Sequence, residues 1–262
     1  MPRPDLSRWH GAYECLDSLS NNPAPASLYS VLVRTDEAAY YAWTLSALPP
    51  WEYVDEPLHT GKGRPPPPLA TLAAREGIKA PNKLCELITA AHNNRADILE
   101  LKNAVVRNAA HITERDRFGM AIRHWDARGG YWRLQVLFCL LVEAMQRWST
   151  EAKHSGEYLH PKRLEIGSRS YISTADNDHF LREWQMFLDH LQELDLMNVP
   201  SLKKIIDGTQ LANALGVKPG KWMAKALEVC VAWQLRHPDA IDSTGAVEEV
   251  NNRREELGIP SA

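Results

Sequence analysis

The sequence predicts an all-α fold, a helical array with no sheet of any size. Three observations predict it. Apolar residues recur three and four positions apart over most of the chain, which is the spacing of one helix face. Few segments alternate apolar and polar residues with the period of two that a half-buried strand needs. The helical runs are closed by strong breakers, among them Asn22-Pro23, Pro49-Pro50, Gly216 and His237-Pro238.

Taken in order, Trp9, Tyr13, Leu16 and Leu19 place a first amphipathic helix over about Ser7–Leu19. A second stretch runs from about Leu28 to Val33. A third starts at Asp36 as its N-cap and continues through Tyr40, Tyr41, Trp43 and Leu45. Gly61 to Pro68 ends in four consecutive prolines and reads as a stiff exposed loop biased to polyproline II. Pro81 and Asn82 open a long helix with Leu84, Leu87, Ile88, Ala91, Ile98, Leu101 and Val105 along one side. Thr113 with Asp116 resembles a capping pair for a helix carrying Arg115, Arg117, Met120, Ile122 and Arg123. Trp132 to Trp148 is apolar on most faces and reads as a central buried helix. Ser149 to Asp178 is polar and irregular. Helical spacing resumes at Phe180, Trp184, Phe187, Leu188, Leu191 and Leu194, followed by helices over Gln210–Leu215, Trp222–Arg236 and Val247–Leu257. The expected organisation is a helical part over 1–150, a linker over 151–178 and a second helical part over 179–262.

The chain has 262 residues, 44% of them hydrophobic and 24% charged, enough to bury a core in one or two units. Most of its nine tryptophans sit beside apolar neighbours at helical spacing and read as anchors between helices. The net charge of −3 argues against non-specific adhesion to nucleic acid but leaves room for a local basic face. Cys15, Cys85, Cys139 and Cys230 form no Cys-x-x-Cys pair and lie in apolar helical stretches, which argues for buried free thiols in an intracellular, reducing setting. No run approaches the ~20 apolar residues of a membrane span, and no apolar signal core follows Met1.

Signatures of catalysis are missing. There is no phosphate-binding glycine loop, no His-Glu-x-x-His and no Gly-x-Ser-x-Gly. His124 and Asp126 are two apart on a helix and face different sides. Asp176-Asn177-Asp178 has the letters of a metal-binding pair but precedes an apolar helical run, where aspartates favour the positive helix end, so it reads as a cap. No metal site is expected.

The informative stretch is Asp207 to Glu228. Gly216 stands where a left-handed C-terminal cap is needed, and Pro219-Gly220 reads as a tight turn in which the glycine supplies a positive φ. The next helix begins at once, its free N–H groups ringed by Lys218, Lys221 and Lys225, an arrangement suited to phosphate. Between Pro200 and Pro238, six basic side chains (Lys203, Lys204, Lys218, Lys221, Lys225, Arg236) stand against Asp207 and Glu228, a net of +4. The spacing alone fits a plain packing corner with solvated lysines equally well.

Leu215-Gly216-Val217-Lys218-Pro219-Gly220-Lys221-Trp222, with Val231 to Pro238, resembles the tail of CCA-adding tRNA nucleotidyltransferases, those of fungi and other eukaryotes most of all. Tyr40-Tyr41-Ala42-Trp43, Leu48 to Trp51, Arg75 to Lys79 and the Arg115–Arg123 helix leading to Trp132 fit the same order. The resemblance is specific over about 200–238 and loose elsewhere. It implies a member of the class II poly(A) polymerase/tRNA nucleotidyltransferase family reduced to body and tail. The family's head carries the metal-binding aspartate pair, uses Mg²⁺ with CTP and ATP, and is followed by a neck with a Glu-Asp…Arg element. None of these is found here, since Glu114-Arg115-Asp116-Arg117 has the wrong spacing. The implication is a chain inactive by itself that holds the acceptor stem and TψC corner of tRNA, with a head and neck half as a further partner. Lys218, the amide of Gly220, Lys221 and Lys225 would contact phosphates, flanked by Lys203, Lys204 and Arg236, with Arg115, Arg117 and Arg123 as a second set. Whether it acts in nucleus, cytosol or mitochondria is open. The alternative is a helical protein-interaction scaffold with no RNA role.

Overall fold

The computed structural model describes residues 3–6, 9–21, 24–54, 66–127, 129–154 and 174–260. Among them there is helix, turn and loop but no strand, so the helical array is as expected. The described residues fall into two compact units, one drawn from 1–106 and 128–189, the other from 107–127 and 190–262.

The first unit is organised on α7 (Trp132–His154). Leu134 and every residue from Val136 to Val142 are buried, because this helix is apolar on most faces and can be surrounded. Around it pack α1 (Trp9–Ser20), α2 (Leu28–Leu32), α3 (Asp36–Leu45) and α5 (Asn82–Val106), with α4 (Leu69–Gly77) against α5. Thr35, one residue before Asp36, is the N-cap of α3, its Oγ1 accepting from the Ala38 amide at 3.1 Å. Asp36 instead lies in the first turn, where its charge favours the helix end. The helix α4 follows the proline run and was not expected from the sequence. Residues 61–65 of that loop lie outside the described residues.

The core of this unit holds one charge that its pattern conceals. Lys102 of α5 is 1% exposed, with Nζ 3.2 Å from Glu143 of α7 and 3.3 Å from Glu183 of α8 (Thr174–Glu193). Trp184 Nε1 donates to the same oxygen, Glu143 Oε2, at 2.9 Å. A buried lysine is tolerated when carboxylates meet it this closely. The stretch read as irregular is helical at both ends, to His154 and from Thr174, with 155–173 outside the described residues. Asp176 to Asp178 therefore lie inside the first turns of α8 rather than ahead of it as a cap.

The second unit is built from α6 (Arg115–Trp125), α9 (Gly208–Leu215), α10 (Met223–Arg236), α11 (Thr244–Asn252) and the short α12 (Arg254–Leu257). Its core gathers Ile206, Leu211, Leu215, Trp222, Ala226, Cys230, Ala246 and Val250. Close approach of α6 to α10 depends on Gly119, where a Cβ would lie 2.7 Å from a Leu235 methyl. Gly245 of α11 makes the same allowance for Trp233. The α6 N-cap is Glu114, whose side chain makes no capping bond, so the Thr113–Asp116 pair does not form the expected cap. Arg253 breaks the single terminal helix expected over Val247–Leu257 into α11 and α12.

Candidate nucleic-acid interface

The basic corner joins α9 to α10. Asp207 and Gln210 form a reciprocal capping box at the start of α9, with the Gln210 amide donating to Asp207 Oδ1 at 2.8 Å. Gly216 ends the helix in the left-handed region at φ 68°, and the Val217 amide donates back to Ala212 O at 3.1 Å. The left-handed Gly216 cap is as the sequence predicts.

The following turn differs from its expectation. Gly220 does not have a positive φ. The reason for glycine is steric: a Cβ there would stand 2.9 and 3.0 Å from the indole atoms of Trp222. Trp222 is 6% exposed, sunk into the core of this unit, and its Nε1 donates to Lys218 O at 3.3 Å. The ring thus fastens the Lys218–Lys221 segment from beneath, and the Met223 amide closes onto Gly220 O at 3.1 Å. Trp222 is the N-cap of α10 and offers no side-chain acceptor to the first amides. Lys218, Pro219, Gly220, Lys221 and Lys225 are all exposed, so three cations surround a helix start that no side chain caps.

Lys203 and Lys204 are exposed on the segment leading to α9. That segment is held by Gln234 of α10, which accepts from the Ile205 amide at 3.1 Å and donates to Lys203 O at 3.0 Å. One helix therefore positions both lysine groups, the first through its N-terminal end and the second near its C-terminal end.

The arginines are placed otherwise. Arg115 turns inward: Nε donates to Leu194 O and Nη1 to Leu235 O, both at 2.7 Å, and Nη2 reaches Asp195 O at 3.3 Å. It caps the carbonyl ends of α8 and α10 together. Arg123 Nη1 donates to Val199 O at 3.1 Å. Arg236 lies between Asp116 and Glu249, tying α10 to α6 and α11. Burial works against its charge, but the bonds to Glu249 and Asp116 prevail and hold the guanidinium above its ordinary range. Arg117 is half-buried with an interaction of its own. Arg115, Arg123 and Arg236 thus all bond partners within their own unit, and of the three Arg236 stays exposed. Among the described residues no group of three metal-ligating side chains converges, and no helix is long and apolar enough to cross a membrane.

The chain is 48% identical over 270 residues to the nucleotidyltransferase lcsQ of Purpureocillium lilacinum, an alignment covering 98% of this chain and 45% of that protein. It is 29% identical over 93 residues to the mitochondrial CCA tRNA nucleotidyltransferase of Candida glabrata, covering 35% of this chain and 18% of the relative. It is 30% identical over 71 residues to the corresponding protein of Saccharomyces cerevisiae, covering 27% and 13%. These similarities support a nucleotidyltransferase family. The chain spans less than half the length of each of these relatives. No family model and no solved structure matches it.

Proposed function

We propose that this chain is the RNA-holding body and tail of a CCA-adding tRNA nucleotidyltransferase, gripping the acceptor stem and TψC corner while a head domain elsewhere performs the chemistry with Mg²⁺, CTP and ATP. The observation that carries the reading is the corner before α10. Lys218, Lys221 and Lys225 are exposed around an uncapped helix start, in the segment where the tail-like sequence is most specific. Lys203 and Lys204 flank it. Contacts of this kind read backbone shape and position an RNA without reading its bases. The similarity to proteins named CCA tRNA nucleotidyltransferases supports tRNA as the RNA in question. Four buried free thiols fit a reducing intracellular compartment.

Salt dependence tests the reading. Each phosphate neutralised adds roughly 0.7–0.9 to the slope of log affinity against log salt. The K218A/K221A/K225A variant should therefore lose about two units of slope on tRNA. A variant whose slope equals that of the parent would overturn the assignment of these lysines.

A further inference from the structure

The C-terminal end of α10 carries an aromatic platform that the phosphate-holding role leaves unused. Trp233 and His237 are stacked, with ring centroids 4.4 Å apart and planes 20° from parallel. The imidazole is fixed in that pose because its Nδ1–H donates to Trp233 O at 2.8 Å, which also leaves Nε2 as the outward-facing nitrogen. The indole is held in turn from the α11 side, where Gly245 lets it approach closely. His237 is exposed. One face of its ring lies on Trp233, so the opposite face is the one presented to solvent. A rigid, supported π-face of this kind is what an unstacked nucleobase needs.

Charges of both signs flank it. Gln234, the residue after Trp233, pins the backbone at Lys203 and Ile205, so the segment carrying the exposed Lys203 and Lys204 is fastened to the same helix. Asp239 and Asp242 follow on the loop to α11. The Asp242 carboxylate is occupied at the start of that helix, accepting from the Thr244 amide at 2.9 Å. Lys225 and His237 are twelve residues apart on one helix axis, about 18 Å at the helical rise. A phosphate grip and a base platform thus stand at the two ends of one rigid rod.

We infer that the stacked Trp233–His237 pair is a binding site for an unpaired RNA base, with Lys203 and Lys204 meeting the flanking phosphates. The inference deepens the RNA-holding reading by naming a single-stranded feature of the RNA as a second point of contact, and it rests on that reading only for the identity of the natural ligand.

The test uses the full chain and a fluorescently labelled single-stranded RNA octamer, alongside the same octamer with its bases replaced by abasic sites. The parent should prefer the base-bearing RNA. His237→Ala should lower affinity for it about tenfold without changing the salt slope, since stacking and counterion release are separate contributions. His237→Phe, which keeps a ring, should retain most of the affinity. The proposal is overturned if the parent does not distinguish the two octamers, or if Ala and Phe at 237 behave alike. Failure of the K218A/K221A/K225A variant to change tRNA binding would sink the grip at the other end of α10 and leave this result standing.

Discussion

Replacing Arg115 with methionine separates a structural clamp from an RNA ligand. The side chain is 19% exposed, and its guanidinium bonds the carbonyls of Leu194 and Leu235 at 2.7 Å and that of Asp195 at 3.3 Å. Hydrogen bonds from a charged donor contribute about 1.5–3 kcal/mol each. Methionine keeps the apolar stem, and the exposed Asp195 carbonyl can turn to water, so the two short bonds set the loss at about 3 kcal/mol. With a urea dependence of about 2–3 kcal/mol/M, the midpoint of the transition that includes the second unit should fall by about 1–1.5 M. Arg115→Lys should recover less than half of this, because one ammonium cannot span three carbonyls that a planar fork reaches together. Urea unfolding followed by circular dichroism reads both variants. An unchanged midpoint in Arg115→Met together with weakened tRNA binding would refute the clamp and return Arg115 to the RNA-contacting set.

Three further outcomes are expected. Gly119→Ala puts a Cβ 2.7 Å from Leu235 and 3.3 Å from Leu196, so it should cost about 1–3 kcal/mol by overpacking, and a thermal midpoint equal to the parent's would contradict the close α6–α10 approach. Lys102→Met strands Glu143 and Glu183 in the core and should destabilise by about 2–4 kcal/mol, with Lys102→Met/Glu143→Gln/Glu183→Gln recovering most of it in the same urea assay. Burial pushes the Cys15 thiol up to about 12 and the Cys230 thiol to about 11 from an ordinary 9.0, so the folded protein should give no fast reaction with a disulfide reagent at pH 8. The sign also fixes an alkaline limb: the neutral thiols contribute stability below about pH 9 that is lost as pH rises toward about 12, and a fast-reacting thiol or a flat limb would count against their burial.

Most helices were legible because their apolar residues sit on one face. The stripe from Leu84 to Val105 became α5, and the all-round apolar run from Trp132 became the buried α7. Local breakers were legible as well, since Gly216 takes the left-handed cap that its position demanded. What escaped was non-local. Arg115 is bonded to carbonyls 79 and 120 residues away, which no spacing rule reaches. Gly220 was read as a backbone device, whereas it makes room for the ring of Trp222 two residues on. Lys102 left a signal that could have been used, for it lies on the same stripe as Ile98 and Val105, where a solvated lysine would be out of place. At the interface, the corner and its lysines were legible from sequence, while the inward turn of Arg115 and the ion pairs of Arg236 needed the packing of α6, α10 and α11.

The most direct measurement compares three RNAs on the unmodified chain by gel shift: a tRNA transcript ending before CCA, a minihelix of its acceptor and TψC arms, and its anticodon hairpin. If the chain holds the top half of tRNA, the minihelix should bind within a few-fold of the whole transcript, the hairpin should bind far more weakly, and both strong complexes should weaken steeply with salt. Equal binding of all three RNAs, or no binding of any at low salt, would contradict it.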